Sequence, residues 1–325
     1  MGVFAANSGM SAIKNVHFNA ILEAMRNHRC FAISDIADAT GLSIPTVKKA
    51  IDFGVNAGVV VPSDIAPSTG GRKAQLYKIN SAFCHTLYFL LDNEELHFVL
   101  KDYADAVSEK AVRTIALPAF RKEIEAIFNA LNKKYKNISA VCIAVPAITD
   151  SGKIIDWYYN PSLNGFDLKE YFENKYKVSV AVENDMKLTA LAAAEYSSNK
   201  EDTTLATLQF GHNGIGLGQI VNGKILRGAN GFAGEISFLR GSPEDTVSIE
   251  YCAKIVRSAI VFTNPELIGF YTSKSHSQID VIMREAVKGF PAYAIPKVII
   301  SDDYLEDMLK GLEIISKSSR EINWA

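Results

Sequence analysis

Apolar residues at the start of the chain recur with the spacing of a helix. Residues 16–26 place apolar side chains three and four positions apart, which predicts an amphipathic helix with one buried stripe: Phe18, Ile21, Leu22 and Met25. A second, shorter helix is predicted to begin at Ser34 as N-cap, with Asp35 in its first turn, and to end at Gly41. Gly41 permits a tight turn at the end of this second helix.

A third helix is predicted to begin after Ser43, because a serine can cap a helix and Pro45 is tolerated in a first turn. Its buried stripe is predicted to be Val47, Ala50, Ile51, Gly54 and Val55. The side chains left outward are Thr46, Lys48, Lys49, Asp52 and Asn56. Two short helices of which the second exposes hydroxyl and lysine groups are typical of a helix-turn-helix, whose second helix enters the major groove of DNA.

The segment after the third helix has the pattern of a hairpin. Residues 59–61 and 75–79 are predicted strands, and residues 67–73 form a glycine-containing basic tip with Arg72 and Lys73. Such a wing would bring the two cations to a phosphate or a narrow minor groove. The predicted DNA-contacting residues are Ser43, Thr46, Lys48, Lys49, Arg72 and Lys73. A helix hairpin without a DNA role, and a solvated basic loop, remain the alternatives.

From residue 80 onward apolar strands alternate with amphipathic helices, which predicts an α/β domain. Segments 87–91 and 96–100 are predicted to pair as a hairpin. Further predicted strands cover 140–145, 178–182, 205–210 and 216–221, and predicted helices cover 168–176 and 187–196. The pattern divides the chain into a head, residues 1–80, and a body, residues 81–325, with lobes of approximately 81–185 and 186–325.

Composition and charge favour a globular protein over a membrane-spanning or secreted one. The chain has 325 residues, of which 48% are hydrophobic and 22% are charged, and no apolar run approaches the roughly 20 residues that span a bilayer. The beginning of the chain lacks the pattern of a secretion signal, so we expect a soluble cytoplasmic protein. The head carries eight Lys and Arg against five Asp and Glu, and the body 26 against 31. This mild asymmetry favours a head that meets a polyanion.

Cysteine usage gives no sign of a metal or a disulfide framework. Cys30, Cys84, Cys142 and Cys252 are scattered without a CxxC pair, so buried thiols are expected.

Three segments of the body resemble motifs of one family. Residues 181–185 read Ala-Val-Glu-Asn-Asp and precede a helix of small residues, as in "ENDANAAALGE". Residues 211–224 look like the phosphate turn "GTGIGxGIIxxGKL", and residues 227–236 closely resemble "RGANGxAGEIGH". These are motifs of the ROK family of repressors, open reading frames and sugar kinases. The resemblance extends to the regulator branch, whose wing carries a "GRP"-like segment similar to residues 71–73.

This resemblance implies an α+β multidomain protein, with a winged helix-turn-helix followed by a two-lobed actin-like, ribonuclease H-like α/β ATPase fold. It implies that Asp185 occupies the position of the general base of the sugar kinases. The family's first phosphate loop, "DxGGT", corresponds to residues 90–94 when counted back from Asp102, so Asp92 and Asn93 replace the glycines and Glu94 replaces the threonine. Up to three carboxylates, including Glu95, would then face the phosphates of ATP and repel them. We therefore expect no tight ATP binding, a vestigial base and no cofactor.

The resemblance also has implications for zinc binding and for sugar binding. Family members carry a His and three Cys that hold zinc, whereas here the His position is Phe238 and residues 239–252 contain one cysteine, so no metal is expected. Residues implied for effector binding are Asn184, Asp185 and Glu235, with Asn164 and Ser162 as weaker candidates. They would hydrogen-bond a sugar or phosphosugar; the alternative is a polar cluster that stabilises the hinge.

Two further features of the body stay open. His212, in the phosphate turn, is interpreted as an ordinary loop residue. Trp157, Tyr158 and Tyr159 either line the mouth of the pocket, pack in the core or meet a second subunit.

The sequence as a whole favours a DNA-binding transcriptional regulator of carbohydrate metabolism rather than an enzyme. It would act on a double-stranded operator as a homodimer or dimer of dimers, without membrane contact, and a sugar-like effector would alter its affinity for DNA. The main alternative is an active ATP-dependent sugar kinase with an accessory DNA-binding head. A third is a repressor that is controlled by a protein partner instead of a small molecule.

Overall fold

The computed structural model describes residues 3–26, 30–65, 74–211, 214–239, 248–272 and 276–317. Within these residues the chain forms a small helical head and a body with two five-stranded sheets. No helix among them is long and apolar enough to cross a membrane.

The head consists of three helices and a two-stranded antiparallel hairpin. These are α1 Val3–Met25, α2 Ile33–Thr40, α3 Ile44–Asn56, β1 Val60–Ile65 and β2 Gln75–Ile79. The side chains of the predicted helical stripes meet in one apolar cluster, in which the rings of Phe18 and Phe53 pack edge to face at 5.0 Å. The spacing rule therefore identified the residues that hold the head together.

Two details at the helix ends differ from prediction. Helix α1 extends back to Val3, well before residue 16. Ser34 is not the cap of α2: Ala32 holds that position, and its backbone amide donates to Asp35 Oδ2 at 2.9 Å. The cap of α3 is confirmed, because the Ser43 hydroxyl accepts from the amide of Thr46 at 3.3 Å.

The first body sheet has the strand order β5-β4-β3-β6-β9. Its strands are β3 His85–Asp92, β4 Glu95–Asp102, β5 Val107–Thr114, β6 Ile138–Val145 and β9 Ser179–Asn184. The predicted hairpin is confirmed, with Leu87 opposite Leu100 and Leu91 opposite Leu96. Helices α4 Phe120–Tyr135 and α5 Leu168–Tyr176 cover one face and share an apolar core with the sheet. A short hairpin, β7 Ile148–Asp150 and β8 Lys153–Asp156, follows β6.

The second body sheet has the order β12-β11-β10-β13-β14. Its strands are β10 Leu205–Gly211, β11 Gly214–Val221, β12 Lys224–Ile225, β13 Leu267–Thr272 and β14 Lys297–Ser301. Helices α7 Ile249–Thr263 and α8 His276–Ala286 pack on each other and close the core on one side of this sheet.

Two further helices lie between the sheets. Helix α6 Asp185–Ala194 contacts β10 and β11, and the C-terminal helix α9 Tyr304–Ser316 contacts β3 and β6 of the first sheet. The two helices pack closely: a Cβ on Gly311 would overlap the carbonyl oxygen of Leu188. The chain therefore returns at its C-terminal end to the lobe predicted to end near residue 185.

The turn between β4 and β5 connects the body to the head. Asp102 Oδ1 accepts from the amides of Ala104 and Ala106, at 2.9 and 3.0 Å, and so shapes this turn. Tyr103 and Ala104 are buried in the apolar cluster of the head. Arg26, just after α1, donates to the carbonyl of Tyr103 at 2.7 Å.

The close approach of α9 to α6 yields a stability prediction. Alanine at residue 311 gains about 1 kcal/mol of helix propensity. Overlap with backbone atoms costs about 1–3 kcal/mol and cannot relax by rotating a side chain. Gly311→Ala should therefore lower the free energy of unfolding by up to about 2 kcal/mol, measured by urea denaturation. Glu306→Ala, at an exposed position of α9, is the matched control; an equal loss in both variants would contradict the packing argument.

Candidate functional site

The junction between β9 and α6 builds the site from its sequence. Strand β9 ends at Asn184, whose side chain caps α6 by accepting from the amide of Lys187 at 3.1 Å. The amide nitrogen of the same side chain donates to the carbonyl of Ala147 at 3.2 Å. Asn184 therefore uses both ends of its amide to fix the start of α6, and Asp185 becomes the first helical residue.

Asp185 is a buried carboxylate with both oxygens engaged. Its Oδ1 accepts from the amide of Met186 at 2.8 Å, and its Oδ2 accepts from the hydroxyl of Tyr304 on α9 at 2.8 Å. Burial raises the pKa of Asp185 to about 6, although both hydrogen bonds act to lower it. The carboxyl group is therefore half protonated near pH 6 and mostly ionised, an acceptor, at neutral pH.

Glu235 is the second acidic group of the site. Burial raises its pKa to about 7; the nearby charge of Lys187 lowers it, whereas those of Asp185 and Asp156 raise it. Two carboxyl groups that titrate near neutrality can each accept or donate a hydrogen bond, which suits the hydroxyl groups of a polyol.

Two cationic side chains hold the loop that carries Glu235. The ammonium of Lys187, which is buried, donates to the carbonyl of Gly231 at 2.6 Å, and burial lowers its pKa. Arg227 pairs with buried Glu183 at 2.5 Å, and the other oxygen of Glu183 accepts from Thr149 and from the amide of Asn184. The loop is thus tied to both β9 and α6.

The β3–β4 turn brings a carboxylate toward this site. Asp92 is half-buried, which raises its pKa, and its charge in turn raises the pKa of Asp185 and of Tyr304. Asn93 takes a positive φ of 54° at the turn, whereas Glu94 and Glu95 are exposed. Asp92 is therefore the hairpin acid that is coupled to Asp185, whereas the repulsion of ATP phosphates by up to three carboxylates stays a prediction.

In the loop 160–166 the two weaker candidates, Asn164 and Ser162, make hydrogen bonds to residues of the loop or just before it. Asn164 accepts from the amide of Trp157 and donates to Asp156, both at 2.7 Å, so its amide organises the loop. Ser162 donates to Asn160 at 2.6 Å. Trp157 is fully buried against Phe120 and belongs to the core rather than to a pocket mouth.

Two pairs of exposed aromatic rings lie beside these loops. Tyr158 is 80% exposed and packs edge to face on Tyr159, with ring centroids 5.1 Å apart. Phe238, at the position matched to the zinc-binding His, is exposed and lies 5.2 Å from the ring of Phe232. In the described ranges no group of three His, Cys, Asp or Glu residues could hold a metal ion. Cys142 and Cys252 are buried, whereas Cys30 and Cys84 are half-buried.

The predicted DNA-contacting residues of α3 lie at one end of that helix. Lys48 and Lys49 are exposed, and the hydroxyls of Ser43 and Thr46 are 2.8 Å apart in the first turn. Arg72 and Lys73, like His212, lie outside the described residues.

Comparison with known proteins identifies the family. The ROK family model matches residues 94–265, which is more than half of the chain and includes β9, α6 and the loop of Glu235. The chain belongs to the ROK family. Relatives include the DNA-binding transcriptional dual regulator NagC of Escherichia coli, 25% identical over 245 residues, and the xylose repressor of Bacillus subtilis, 21% identical over 234 residues. The matches cover 71% and 70% of this chain but only 59% and 61% of those two relatives.

Solved ROK structures show the same fold. A ROK family transcriptional regulator, a homologue of the Escherichia coli MLC protein, superimposes with a TM-score of 0.66 at 15% identity, over 95% of this chain and 97% of that one. A ROK hexokinase from Thermus thermophilus gives 0.54 at 14% identity, over 72% of this chain and 99% of the hexokinase. Since 95% of the chain is covered, the likeness to the regulator includes the head as well as the body.

Sequence reasoning missed several residues that shape the site of this ROK protein. Tyr304 lies 119 positions from Asp185, so no local spacing could connect them. Lys187 stands where the family motif has Asn, and that departure in a helix of small residues was a readable signal. Glu183 and Arg227 both lie within the quoted motifs, yet nothing in the sequence pairs them.

The raised pKa of Asp185 predicts a pH-dependent effect on stability. The folded protein holds this proton more tightly than the unfolded chain, so the contribution of Asp185 to the free energy of unfolding falls as pH rises from 3.8 to about 6. Asp185→Asn removes the ionisation and keeps the shape. Relative to the wild type, it should gain at most about 3 kcal/mol between pH about 4 and pH about 7 in urea denaturation. Asp302→Asn, at an exposed position, should show no such pH-dependent gain; a flat difference for Asp185→Asn would contradict the buried-acid assignment.

Proposed function

We propose that this ROK protein is a cytoplasmic, DNA-binding transcriptional regulator that senses a sugar through a kinase-like body without kinase activity. It acts on a double-stranded operator as a homodimer or dimer of dimers. The observation that carries the proposal is that two features occur in one chain. The head exposes the lysines of a helix, and in the body both oxygens of Asp185 already accept hydrogen bonds.

The architecture of the head supports DNA binding. Helices α2 and α3, joined by a turn at Gly41 with φ of 68°, are followed by the β1–β2 hairpin, as in a winged helix-turn-helix. The N-terminal half of α3 presents Lys48 and Lys49 to solvent, and the amides of a helix N-terminus favour phosphate. Arg72 and Lys73, which precede β2 in the sequence and lie outside the described residues, remain the predicted second contact.

The chemistry of the site supports a sugar effector. Asp185 and Glu235, with pKa values of about 6 and 7, can act as acceptors or donors to neighbouring hydroxyl groups. Asp92 and Asp156 add negative charge around them, which favours a neutral sugar over a phosphosugar. Asn184 and Asn164 contribute by fixing the two loops rather than by facing a ligand.

The same groups argue against phosphoryl transfer. A phosphate loop needs backbone amides that approach the triphosphate, whereas the β3–β4 turn carries Asp92 toward Asp185 and no glycine. The hydroxyl of Tyr304 donates to Oδ2 of Asp185, and this hydrogen bond lowers the basicity of the carboxylate toward a sugar hydroxyl. The names of the relatives NagC and xylose repressor, which denote regulators, also support a regulator rather than a kinase.

An active sugar kinase is the second candidate, because Asp185 is retained at the position of the family's general base. A coupled ATPase assay with a panel of hexoses, pentoses and amino sugars separates the two functions. We expect no sugar-dependent turnover; turnover that Asp185→Asn abolishes would establish the kinase instead.

Sugar binding gives the next prediction. Calorimetry against N-acetylglucosamine, xylose, glucose and their phosphates should detect binding of at least one unphosphorylated sugar. Glu235→Gln should weaken that binding by about tenfold, since a hydrogen bond to a charged group contributes about 1.5–3 kcal/mol. Asp302→Asn is the control. Absence of heat with every sugar would favour control by a protein partner.

The head yields a prediction about salt. Duplexes selected by the protein from a random pool provide the probe, and fluorescence anisotropy measures affinity across salt concentrations. Lys49→Ala should weaken binding and reduce the slope of log affinity against log salt by about one, as expected for one lost phosphate contact. Lys122→Ala, on an exposed position of α4 in the body, should leave both quantities unchanged. Equal slopes in the two variants would show that Lys49 does not contact a phosphate of the DNA.

A further inference from the structure

Helix α9 contacts the candidate sugar site at one end. Near its other end, contacts are made with β4, which leads to the turn buried in the head, and with α1 of the head. At its first residue, Tyr304 donates to Asp185 at 2.8 Å. One turn later Asp307 accepts from Tyr271 at 2.7 Å and from Ser301 at 3.0 Å, which joins α9 to the second sheet. The start of the helix is therefore anchored to the site and to the second lobe.

The end of α9 has different partners. Glu313 pairs with Lys101 of β4, and Ser316 lies 3.1 Å from the hydroxyl of Tyr88 on β3. Just beyond the helix, Lys317 pairs with Glu23 of α1 at 3.3 Å. With 13 residues and a rise of about 1.5 Å per residue, α9 spans about 20 Å between these groups of contacts.

Two routes lead from the end of α9 to the head, and they differ in strength. The pair of Lys317 with Glu23 is 65% and 50% exposed, so solvent screens it and it contributes little. The pair of Glu313 with Lys101 is more shielded, and Lys101 lies two residues before Tyr103, which is buried in the apolar core of the head. The contact of α9 with β4 is therefore the less screened of the two.

The hydrogen bond at the start of α9 is open to competition. Burial raises the pKa of Tyr304 well above its ordinary value, so the hydroxyl stays protonated and remains a donor. A sugar hydroxyl that reaches Asp185 needs an acceptor on the same carboxylate, and Oδ2 is already occupied by Tyr304. That oxygen can accept two hydrogen bonds, so a sugar hydroxyl that donates to Oδ2 would compete with Tyr304 for it rather than be excluded by it.

We propose that Tyr304 is the positioning residue that couples the effector site to the head: a sugar hydroxyl displaces it from Asp185, α9 shifts, and β4 carries the shift to the turn at Tyr103. This inference rests on the proposed function, because it takes Asp185 as part of the effector site. It adds the element through which occupancy changes the affinity for DNA.

Tyr304→Phe removes the competing hydroxyl and keeps the ring. In calorimetry this variant should bind the sugar about two- to tenfold more tightly, the range that one net hydrogen bond supplies. A merely structural tyrosine would leave affinity equal or weaker. In anisotropy the sugar changes the affinity of the wild type for operator duplex by about 5–150-fold, a typical coupling, and that factor should fall to about one in Tyr304→Phe.

Two further variants complete the experiment. Glu313→Gln breaks the contact with Lys101 at the other end of α9, and should abolish coupling while sugar affinity stays at the wild-type value. Tyr293→Phe, at a tyrosine that is 88% exposed, should behave as wild type throughout. Coupling should also be reciprocal, with operator duplex changing sugar affinity by the same factor in the wild type.

The outcomes separate the two proposals. If the wild type couples sugar to DNA and both Tyr304→Phe and Glu313→Gln couple equally well, the role of α9 is overturned while the regulatory function stands. If Tyr304→Phe binds sugar more weakly than the wild type, competition at Asp185 is overturned. If the wild type binds no sugar or shows no effect of sugar on DNA, the proposed function fails, and the inference fails with it.

Discussion

A buried carboxylate must find hydrogen-bond donors, and the body of this protein is arranged around that requirement at Asp185. One donor is the amide of Met186 in the first turn of α6, and the other is the hydroxyl of Tyr304 on α9. Because those donors belong to different helices, satisfying the carboxylate fixes α6 and α9 relative to each other. Even so, burial outweighs both hydrogen bonds and keeps the pKa near 6.

Two cationic side chains, Lys187 and Arg227, hold the loop of Glu235. Lys187 is buried, and its ammonium retains a carbonyl partner and nearby carboxylates. Arg227 reaches the buried Glu183 from a position that is 45% exposed. Breaking such a pair costs more than the pair contributes, because the remaining charge stays desolvated. The loop therefore has few ways to move without disturbing β9 or α6.

Local patterns in the sequence predicted the local structure well, and failed where distant segments meet. Three- and four-residue spacing identified the head's core, and Ser43 was recognised as a cap because its partner is three residues away. The family motifs predicted Asp185 and Glu235 as site residues, and the structure brings them near enough for the charge of Asp185 to raise the pKa of Glu235. Trp157 shows the limit: three adjacent aromatic residues carry no sign of which one turns inward, and only packing against Phe120 decides it. Tyr304 was missed for the same reason, since α9 reaches the site only through the tertiary fold.

The turn at Tyr103 and Ala104 has a consequence for how such proteins diversify. These two side chains fill the interior of the head although they lie more than 20 residues past its last strand, β2. The apolar core of the head is consequently incomplete without residues of the body. Replacement of the head by that of another family member would leave a void or a clash unless the exchanged segment also carried a matching turn, so the head and the β4–β5 turn constrain each other's sequence.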